Sequence, residues 1–415
     1  MDKYWFRTKK QEKLFFRKHK HYVTGMGKEH NIIEITKEYL DIKVISSQNT
    51  IRISRKDLRK AIHYTFQVRT VTRKDLEQFH NYTSSLFGLM LLVFRDISTN
   101  YRTAKGTMRL VIKGLRYYFS GLAKSPSDRK LVFNNGGDCL CLSYFHLRDL
   151  NPKRWVPDIL SNKSKVLLDS GAFSLFQAEQ KWLKQKQLQD QLVDQLDMSF
   201  HGMDSTNVQE GNIQPITLEE YGQFVKTFLK IGAITYYLNL DVFGDSEKTK
   251  YNQEQLTRIV GVPPIPIFHW DAPMTDLDEM VKEDHPFIAL GGIVTLHGEG
   301  AKRAFFKKVF ERHSNISYHW LGGSSKLLFE FPFFSSDSTS YLIPRLMGDG
   351  TILTPNGFDR KPDWSNEECI AYNVKFLSSL EQAYEEAFQL EIPVSYPKVH
   401  FTKRDREQLE FNFGI

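Results

Sequence analysis

The chain is poor in cysteine, with three in 415 residues, and this scarcity narrows the classes of protein it can belong to. Cys139 and Cys141 are two residues apart and Cys369 is far from both, so they do not make a disulfide framework. No C-x-x-C pair and no His-rich segment is present, which argues against a structural zinc site. We therefore expect a reducing, cytoplasmic setting.

Long apolar runs and phosphate-binding loops are also missing. The longest apolar run, near Leu86 to Phe94, is too short to span a bilayer and predicts a buried helix. No apolar core follows the charged first residues, so we expect neither a signal peptide nor a membrane partner. No G-x-G-x-x-G segment opens a helix, which leaves a dinucleotide fold without support. No triad pattern indicates an activated Ser or Cys.

Charge, by contrast, is abundant and unevenly divided. Residues 1–130 hold 28 Lys+Arg and 11 Asp+Glu, a difference of +17, whereas residues 131–415 hold 28 and 38, a difference of −10. A basic block joined to an acidic body favours a polyanionic partner, with nucleic acid first among them. The alternative is a solvated basic face with no partner.

The basic block, residues 1–128, has the pattern of an α+β domain. Strands are predicted at 31–35, 42–45 and 50–53, and a basic helical stretch from about Asn100 to Lys124. Two similar phrases, 54–58 and 72–76, each place a hydroxyl residue three before an Asp, as at a helix start. A helix with a basic first turn can approach a phosphate backbone, so these phrases supply the candidate nucleic-acid contacts Arg55, Lys56, Arg73 and Lys74.

From residue 129 to 395 short apolar strands alternate with helical stretches, which predicts a parallel sheet. Seven candidate strands fit a (β/α)8 TIM-like barrel better than a doubly wound sheet. The fold class is thus α/β, a barrel preceded by the basic domain, with 396–415 as a C-terminal tail. The strands are predicted at 139–144, 165–169, 235–241, 264–269, 286–291, 316–321 and 331–336, and the helices at 183–196, 218–231, 253–259, 274–281, 301–312 and 367–386.

Polar residues and glycines follow these strands, and the carboxyl ends of barrel strands share one rim, where barrel enzymes keep their active sites. Two carboxylates across a pocket suit glycosyl transfer, in which one attacks the anomeric carbon and the other moves protons. Backbone at glycines is open to a flat ligand such as a nucleobase. The candidates at strand ends are Asp169, Ser170, Gly171, Asp241, His269, Gly291, Gly292, His319 and Asp337.

Four of these stretches resemble motifs of the tRNA-guanine transglycosylases. Asp-Ser-Gly-Ala-Phe at 169–173 is similar to their Asp-Ser-Gly-Gly-Phe, and Leu-Gly-Gly at 290–292 to their base-binding Gly-Gly loop. His-Trp-Leu-Gly-Gly at 319–323 falls where they have a Met-Gly-x-Gly strand end, and Ser-Asp-Ser-Thr-Ser-Tyr at 336–341 where they carry a nucleophilic Asp. The combination resembles most the DNA-modifying branch, which inserts 7-deazaguanine bases into DNA in bacteria and phages.

The resemblance implies an exchange of guanine for a 7-deazaguanine base, with no cofactor. Asp337 would be the nucleophile at C1′ and Asp169 the general acid/base. Asp241 would read the base edge. Gly291 and Gly292 would bring backbone groups to the base. Beyond the resemblance, we interpret Ser170, Gly171 and His319 as further base contacts and His269 as a base or phosphate contact. Arg345 is either a phosphate contact or part of a turn.

The departures from the family concern the substrate. Ala172 and Ser174 stand where the tRNA enzymes have Gly and Gln, and Cys369 alone cannot supply their three-Cys, one-His zinc site. The zinc subdomain supports tRNA binding, so its absence favours DNA, with tRNA as the alternative and accessory modification proteins as possible partners. Base flipping is implied for duplex DNA. A non-catalytic nucleic-acid-binding barrel and a glycoside hydrolase are the remaining alternatives.

Overall fold

The computed structural model describes residues 3–18, 20–178, 182–184, 214–242, 245–323, 325–348, 350–354 and 357–383. Up to residue 112 the chain forms small antiparallel sheets and three helices. These elements are α1 (Lys3–Lys18), β1 (His21–Val23), β2 (Glu29–Ile35), β3 (Tyr39–Val44), β4 (Thr50–Ser54), α2 (Arg55–Val68), β5 (Thr70–Thr72), α3 (Thr83–Val93), β6 (Ser98–Arg102) and β7 (Met108–Ile112).

From residue 116 onward strands and helices alternate. The elements are β8 (Arg116–Phe119), α4 (Pro126–Asn134), β9 (Cys139–Ser143), α5 (Tyr144–Leu147), α6 (Val156–Asn162), β10 (Lys165–Asp169), α7 (Leu218–Lys230), β11 (Tyr236–Tyr237), α8 (Ser246–Val260), β12 (Ile267–His269), α9 (Met274–Lys282), β13 (Ile288–Gly291), α10 (Glu299–Arg312), β14 (Tyr318–Trp320), α11 (Leu327–Glu330), β15 (Ser335–Ser338), α12 (Ile343–Met347), β16 (Thr351–Thr354), β17 (Gly357–Arg360) and α13 (Asn366–Ser379).

One sheet holds eight strands, in the hydrogen-bonded order β11-β10-β9-β8-β15-β14-β13-β12. Its pairs β10–β11, β12–β13, β13–β14, β14–β15 and β15–β8 are parallel. Parallel strands alternating with helices make a mixed α/β fold that is consistent with a TIM-like barrel. Smaller antiparallel sheets have the orders β1-β2-β3-β4, β5-β7-β6 and β16-β17.

Contacts divide the chain into two units, each of which is compact by itself. The first unit comprises Met1–Phe119, Lys130–Cys139 and Ile265–Ile415, and the second Ser120–Arg129 and Leu140–Pro264. The first unit therefore holds the small sheets together with β8 and β12 to β15, and the second holds β10 and β11 with α7 and α8.

The capping phrase at 54–58 does begin a helix. The Ser54 side chain accepts a hydrogen bond from the Asp57 backbone N–H at 3.0 Å, which satisfies a donor that α2 leaves open. The buried residues of α2 then follow at helical spacing, namely Leu58, Ala61, Ile62, Thr65 and Phe66. The apolar run near residue 90 is the buried helix α3, as predicted.

The second phrase, at 72–76, does not begin an α-helix. Thr72 ends β5, and its backbone N–H and hydroxyl both donate to the Asp75 carboxylate, closing a single 3₁₀ turn over Lys74–Leu76. A carboxylate that accepts from the N–H three residues earlier is also one half of a capping box, so the phrase alone does not distinguish this turn from a helix start.

The predicted helix from about Asn100 to Lys124 was wrong. These residues form β6, β7 and β8 instead. Basic residues three or four apart resemble one face of a helix, but Gly106 and Gly114 adopt positive φ, and the apolar residues between them fit strands better. β8, all of whose residues are buried, supplies the eighth strand of the large sheet and lies before the predicted domain boundary at residue 128.

The helices of the α/β region agree closely with the prediction at 218–231, 274–281 and 301–312, which correspond to α7, α9 and α10. α8 begins seven residues earlier than predicted. Of the predicted helix 183–196 only 183 and 184 lie among the described residues, and both are helical. The tail 396–415 lies outside the described residues. No helix among those described has the length and apolar character needed to cross a bilayer.

Candidate active site

The candidate nucleophile Asp337 lies inside β15, which spans 335–338 rather than the predicted 331–336. The prediction placed the strand on the Phe-rich segment, because apolar residues are the usual mark of a buried strand. β15 is instead a buried strand made of Ser335, Ser336, Asp337 and Ser338. Alternation along the strand puts Ser335 and Asp337 on one face and Ser336 on the other.

A backbone N–H and an imidazole nitrogen both reach one oxygen of the Asp337 carboxylate. The Gly322 backbone N–H donates to Oδ1 at 3.0 Å, and Nε2 of His319 lies 3.2 Å from the same atom. Gly322 has a φ of 72°, in the left-handed region, which turns its N–H toward the strand end. Asp337 is 9% exposed, so most of its surroundings are protein.

His319 is fully buried between the sheet and two aromatic rings. Its Nδ1 lies 2.8 Å from the Ser335 hydroxyl, and the Tyr118 and Phe287 rings each lie 5.9 Å away, centroid to centroid. The predicted base contact of His319 is therefore not what the structure shows, because its nitrogens face β15 and no surface is accessible. Sequence analysis missed Ser335, which only its i, i+2 spacing from Asp337 could have indicated.

A second group in the first unit surrounds the Gly-Gly segment. His269 ends β12 and pairs with Gly291 of β13. A Cβ on Gly291 would lie 3.3 Å from Cε1 of the His269 ring, and one on Gly292 would lie 3.0 Å from its Nδ1. Gly292 also has a φ of 71°. The imidazole therefore lies directly against the bare glycine backbone, and the structure brings together His269, Gly291 and Gly292 as predicted.

The Trp270 side chain borders the same segment. Its Nε1 donates to the Thr295 hydroxyl at 3.1 Å, and that hydroxyl donates to the Gly292 carbonyl at 2.7 Å. Trp270 is 37% exposed, and a Cβ on Gly292 would lie 3.1 Å from its Cδ1, so the indole borders the glycines. Trp270 was not among the predicted site residues, although it follows His269 directly.

In the second unit, β10 ends at Asp169 and the chain turns sharply. The Gly171 N–H donates to the Asp169 carboxylate at 3.1 Å, and Ser170 is fully buried. Gly171 has a φ of 82°, and a Cβ there would lie 2.5 Å from Cβ of Phe145. Only glycine fits both the backbone angle and the close packing, so the Asp-Ser-Gly turn presents Asp169 in one fixed direction.

Asp241 is carried by a loop that α8 holds in place. Asn252 donates to the Leu240 carbonyl at 2.7 Å, and Asn239 donates to the Thr249 carbonyl at 2.8 Å. The Thr249 hydroxyl accepts from the Val242 N–H at 2.9 Å. Side chains of one helix thus fix the backbone on both sides of Asp241.

A buried tyrosine indicates that Asp169 and Asp241 lie in the same neighbourhood. Burial raises the pKa of Tyr221 well above its usual value, and the negative charges of Asp169 and Asp241 raise it further. Its hydroxyl donates to the Leu238 carbonyl at 2.8 Å, at the end of β11. The second unit therefore gathers two carboxylates around strands β10 and β11, as the sequence predicts for their carboxyl ends.

The predicted nucleic-acid contacts differ in their surroundings. Arg55 pairs with Glu12 at 3.0 Å and donates to the Thr36 carbonyl, so its guanidinium joins α1 to α2. Lys56, Arg73 and Lys74 are exposed, with Arg73 donating to the Thr83 hydroxyl at 3.1 Å.

Arg345 lies in α12, 3.6 Å from the Glu367 carboxylate. It therefore bridges α12 and α13 across a partly exposed ion pair.

Throughout the described ranges, no group of three or more His, Cys, Asp or Glu residues is arranged to hold a metal ion. The three cysteines are buried thiols.

Comparisons with known proteins do not identify a family for this chain. No family model and no curated protein matches the chain. A solved structure titled "Structural study of Project ID from Aquifex aeolicus VF5" is 11% identical, with a TM-score of 0.37, and covers 64% of this chain and 93% of its own. The tryptophan synthase alpha chain from Legionella pneumophila subsp. pneumophila is 10% identical, with a TM-score of 0.35, and covers 66% and 92%. Likenesses at this level carry no argument about function.

Proposed function

We propose that the protein is a DNA-guanine transglycosylase, a pentosyltransferase that replaces guanine in DNA with a 7-deazaguanine base. The observation that carries the proposal is the placement of Asp337. β15, a strand of the eight-stranded sheet, presents this acid near its carboxyl end, and two hydrogen bonds orient one of its oxygens. A nucleophile needs such a fixed carboxylate, because the attack on C1′ depends on direction and distance.

The reaction proceeds in two displacements at C1′. The Asp337 carboxylate forms a bond with C1′ while the bond from C1′ to guanine breaks, and Asp169 supplies the proton that the departing base takes up. The incoming 7-deazaguanine base then gives a proton to Asp169, forms its own bond to C1′ and releases Asp337. The phosphodiester chain stays intact. The two carboxylates thus divide nucleophilic and proton-transfer roles, as in glycosyl transfer generally.

The remaining candidates bind the base and the nucleic acid. Asp241 accepts N–H bonds from the guanine edge, and Gly291 and Gly292 bring backbone groups to the ring beside His269. We propose that the eight-stranded sheet is a (β/α)8 barrel and that the exposed basic residues before residue 128 bind the phosphate backbone. The reaction takes place in the cytoplasm of a bacterial or phage-infected cell, needs no cofactor, and draws a flipped base from duplex DNA.

The experiment is incorporation of radiolabelled guanine or 7-cyano-7-deazaguanine into DNA and, in parallel, into tRNA by the purified protein. Label in DNA supports the proposal, and label in tRNA alone moves the protein to the tRNA branch. Asp337→Asn should incorporate none, whereas Asp149→Asn, at a carboxylate whose side chain is 89% exposed, should match the wild type. No label in either nucleic acid, with folded protein and both bases tested, contradicts the transglycosylase.

A further inference from the structure

We propose that His319 and Ser335 form a buried positioning relay for Asp337, in which the hydroxyl orients the imidazole and the imidazole orients the carboxylate. The catalytic role of the relay rests on the proposed function, whereas the contacts that form the relay are observed in the structure. Ser335 lies 2.8 Å from Nδ1 of His319, and Nε2 of the same ring lies 3.2 Å from Oδ1 of Asp337. His319 of β14 pairs with Ser335 of β15, and Asp337 lies two residues further along β15.

Hydrogen-bonding chemistry determines which ring nitrogen carries a hydrogen. An ionised carboxylate only accepts hydrogen bonds, so Nε2 of His319 must be the donor toward Asp337. In the neutral imidazole Nδ1 is then an acceptor, and the Ser335 hydroxyl donates to it. In the charged imidazolium both nitrogens donate, and the hydroxyl accepts. Nε2 carries a hydrogen in either state, so the relay always presents a donor to Asp337.

The relay fixes the direction of the carboxylate. The Gly322 N–H and the His319 ring both donate to Oδ1, from the backbone and from the neighbouring strand. Two donors on one oxygen restrict rotation about the bond that carries the carboxylate, which also sets the direction of Oδ2. The Tyr118 and Phe287 rings pack on the imidazole from other sides and limit its own rotation. Support of this kind is what holds catalytic groups in a productive geometry.

The relay runs in the opposite sense to that of a serine hydrolase. There the serine is the exposed nucleophile and the acid is buried behind the histidine. Here Ser335 and His319 are fully buried, and Asp337 is the most accessible of the three. The serine is therefore the support and the acid the working end, and Ser335 is a positioning residue rather than a catalytic one.

The chain offers a matched control for each substitution. His30 is also buried, and its Nδ1 lies 3.2 Å from the Ser85 hydroxyl and 3.0 Å from the Tyr22 hydroxyl. This second histidine–serine pair has the same local chemistry as the relay, but its hydroxyl partners belong to the small-sheet region. Ser85→Ala and His30→Gln thus measure how much kcat changes when a buried histidine–serine pair outside the relay is lost.

Base exchange is measured for Ser335→Ala, His319→Phe and His319→Gln. We expect kcat to fall about 10- to 100-fold in the first two, since partners that orient a functional group have effects of that size, with KM for the base little changed. His319→Gln places an amide N–H near Nε2 and should recover part of the loss. Ser85→Ala and His30→Gln should keep kcat within about twofold. Unchanged kcat in folded His319→Phe overturns the positioning role.

A second readout does not depend on activity. Nitrogen-15 NMR of the histidine rings distinguishes the two neutral tautomers, and His319→Gln assigns the His319 signals. We expect hydrogen on Nε2 in the wild type, a clear change of the His319 signals in Asp337→Asn, and no change of the His30 signals. His319 signals that do not change in Asp337→Asn overturn the relay. Responsive signals in a protein that exchanges no base support the relay and contradict the transglycosylase, so the two failures are distinguishable.

Discussion

Two buried carboxylates of the first unit, Glu381 and Asp337, are held in contrasting ways. Glu381 follows α13 in a 3₁₀ turn and binds two guanidiniums, Arg7 at 3.0 Å and Arg116 at 2.9 Å. Asp337 is instead oriented by a backbone N–H and an imidazole nitrogen. Two guanidinium charges bind Glu381 tightly, whereas a backbone N–H and an imidazole direct hydrogen bonds to one oxygen of Asp337. The first arrangement suits a structural role and the second suits a reactive group.

Arg116 of the Glu381 cluster and Asp337 lie on the same pair of strands. β15 pairs with β8 in the register Ser335↔Arg116 and Asp337↔Tyr118. Arg116 begins β8, so the charge cluster lies at the amino end of this strand pair and Asp337 lies two residues further along. In α/β barrels the amino ends of strands serve stability and the carboxyl ends serve catalysis. The proposed roles of Glu381 and Asp337 would follow that division, since Asp337 lies about 7 Å further along the strand pair than Arg116.

The largest expected effect is on base-exchange activity, and it distinguishes Asp337 from Glu381. Asp337→Asn keeps the size and most hydrogen bonds of the side chain but removes its negative charge. We expect base exchange to fall by at least about a thousandfold, because the amide does not form the bond to C1′. Binding to DNA, measured by fluorescence anisotropy, should stay within about twofold. Residual exchange near the wild-type rate would remove Asp337 from the mechanism.

The next expected effect is on the stability of the fold, and it distinguishes Glu381 from Asp337. Glu381→Gln leaves Arg7 and Arg116 buried without their counter-charge, so we expect the free energy of unfolding to fall by about 3–5 kcal/mol. Denaturant unfolding followed by circular dichroism measures it. Glu77→Gln is the matched control, because Glu77 is half exposed and lies 3.7 Å from Arg73. Its expected change is within about 0.5 kcal/mol. Equal changes in the free energy of unfolding for Glu381→Gln and Glu77→Gln would contradict a structural role for Glu381.

Much of the α/β region was predictable because its signals are local. The apolar triplet of β10 runs into Asp169-Ser170-Gly171, where the turn residues themselves mark the strand end. The helices α7, α9 and α10 have amphipathic spacing and clear ends, and their predicted bounds were nearly right. The Ser54 cap was likewise visible three residues before Asp57.

What could not be predicted depends on tertiary partners. β15 is buried yet contains only serines and an aspartate, so the hydrophobic pattern predicted a strand that begins four residues too early and ends two too early. β8 begins with an arginine that a distant glutamate neutralises. A charge count also treats buried and exposed cations alike, although Arg7, Arg69, Arg109 and Arg116 are all buried. Part of the basic excess before residue 128 is therefore structural rather than available to a partner.

The distinction between buried arginines and exposed lysines gives the next prediction. Truncation before residue 125 would remove β8, so substitution of surface lysines tests the proposed binding of nucleic acid more cleanly. Replacing four exposed lysines by Gln should weaken DNA binding, and the slope of log affinity against log salt should fall by about one for each phosphate that the variant no longer neutralises. The four are Lys9, Lys13, Lys56 and Lys74.

The matched control replaces four exposed lysines of the second unit and changes net charge by the same amount. These are Lys226, Lys230, Lys248 and Lys250. Binding measured by anisotropy at several salt concentrations should show a smaller slope for the first set and an unchanged slope for the second. The same slope in both sets would mean that the basic block contributes only net charge.

The smallest expected effect concerns His285, a half-buried histidine that has neither of these two arrangements. Burial lowers its pKa to about 4, with Glu283 and Asp284 raising it and Arg109 and Lys105 lowering it. Since the pKa in the folded state is below the unfolded value of about 6.5, protonation favours the unfolded chain. Stability is therefore retained above about pH 6.5 and falls as the pH drops toward 4. His285→Gln should unfold with a weaker acid dependence than the wild type over this range, and denaturant unfolding at pH 7 and pH 5 measures the difference. Parallel losses in both proteins would assign the acid sensitivity to carboxylates instead.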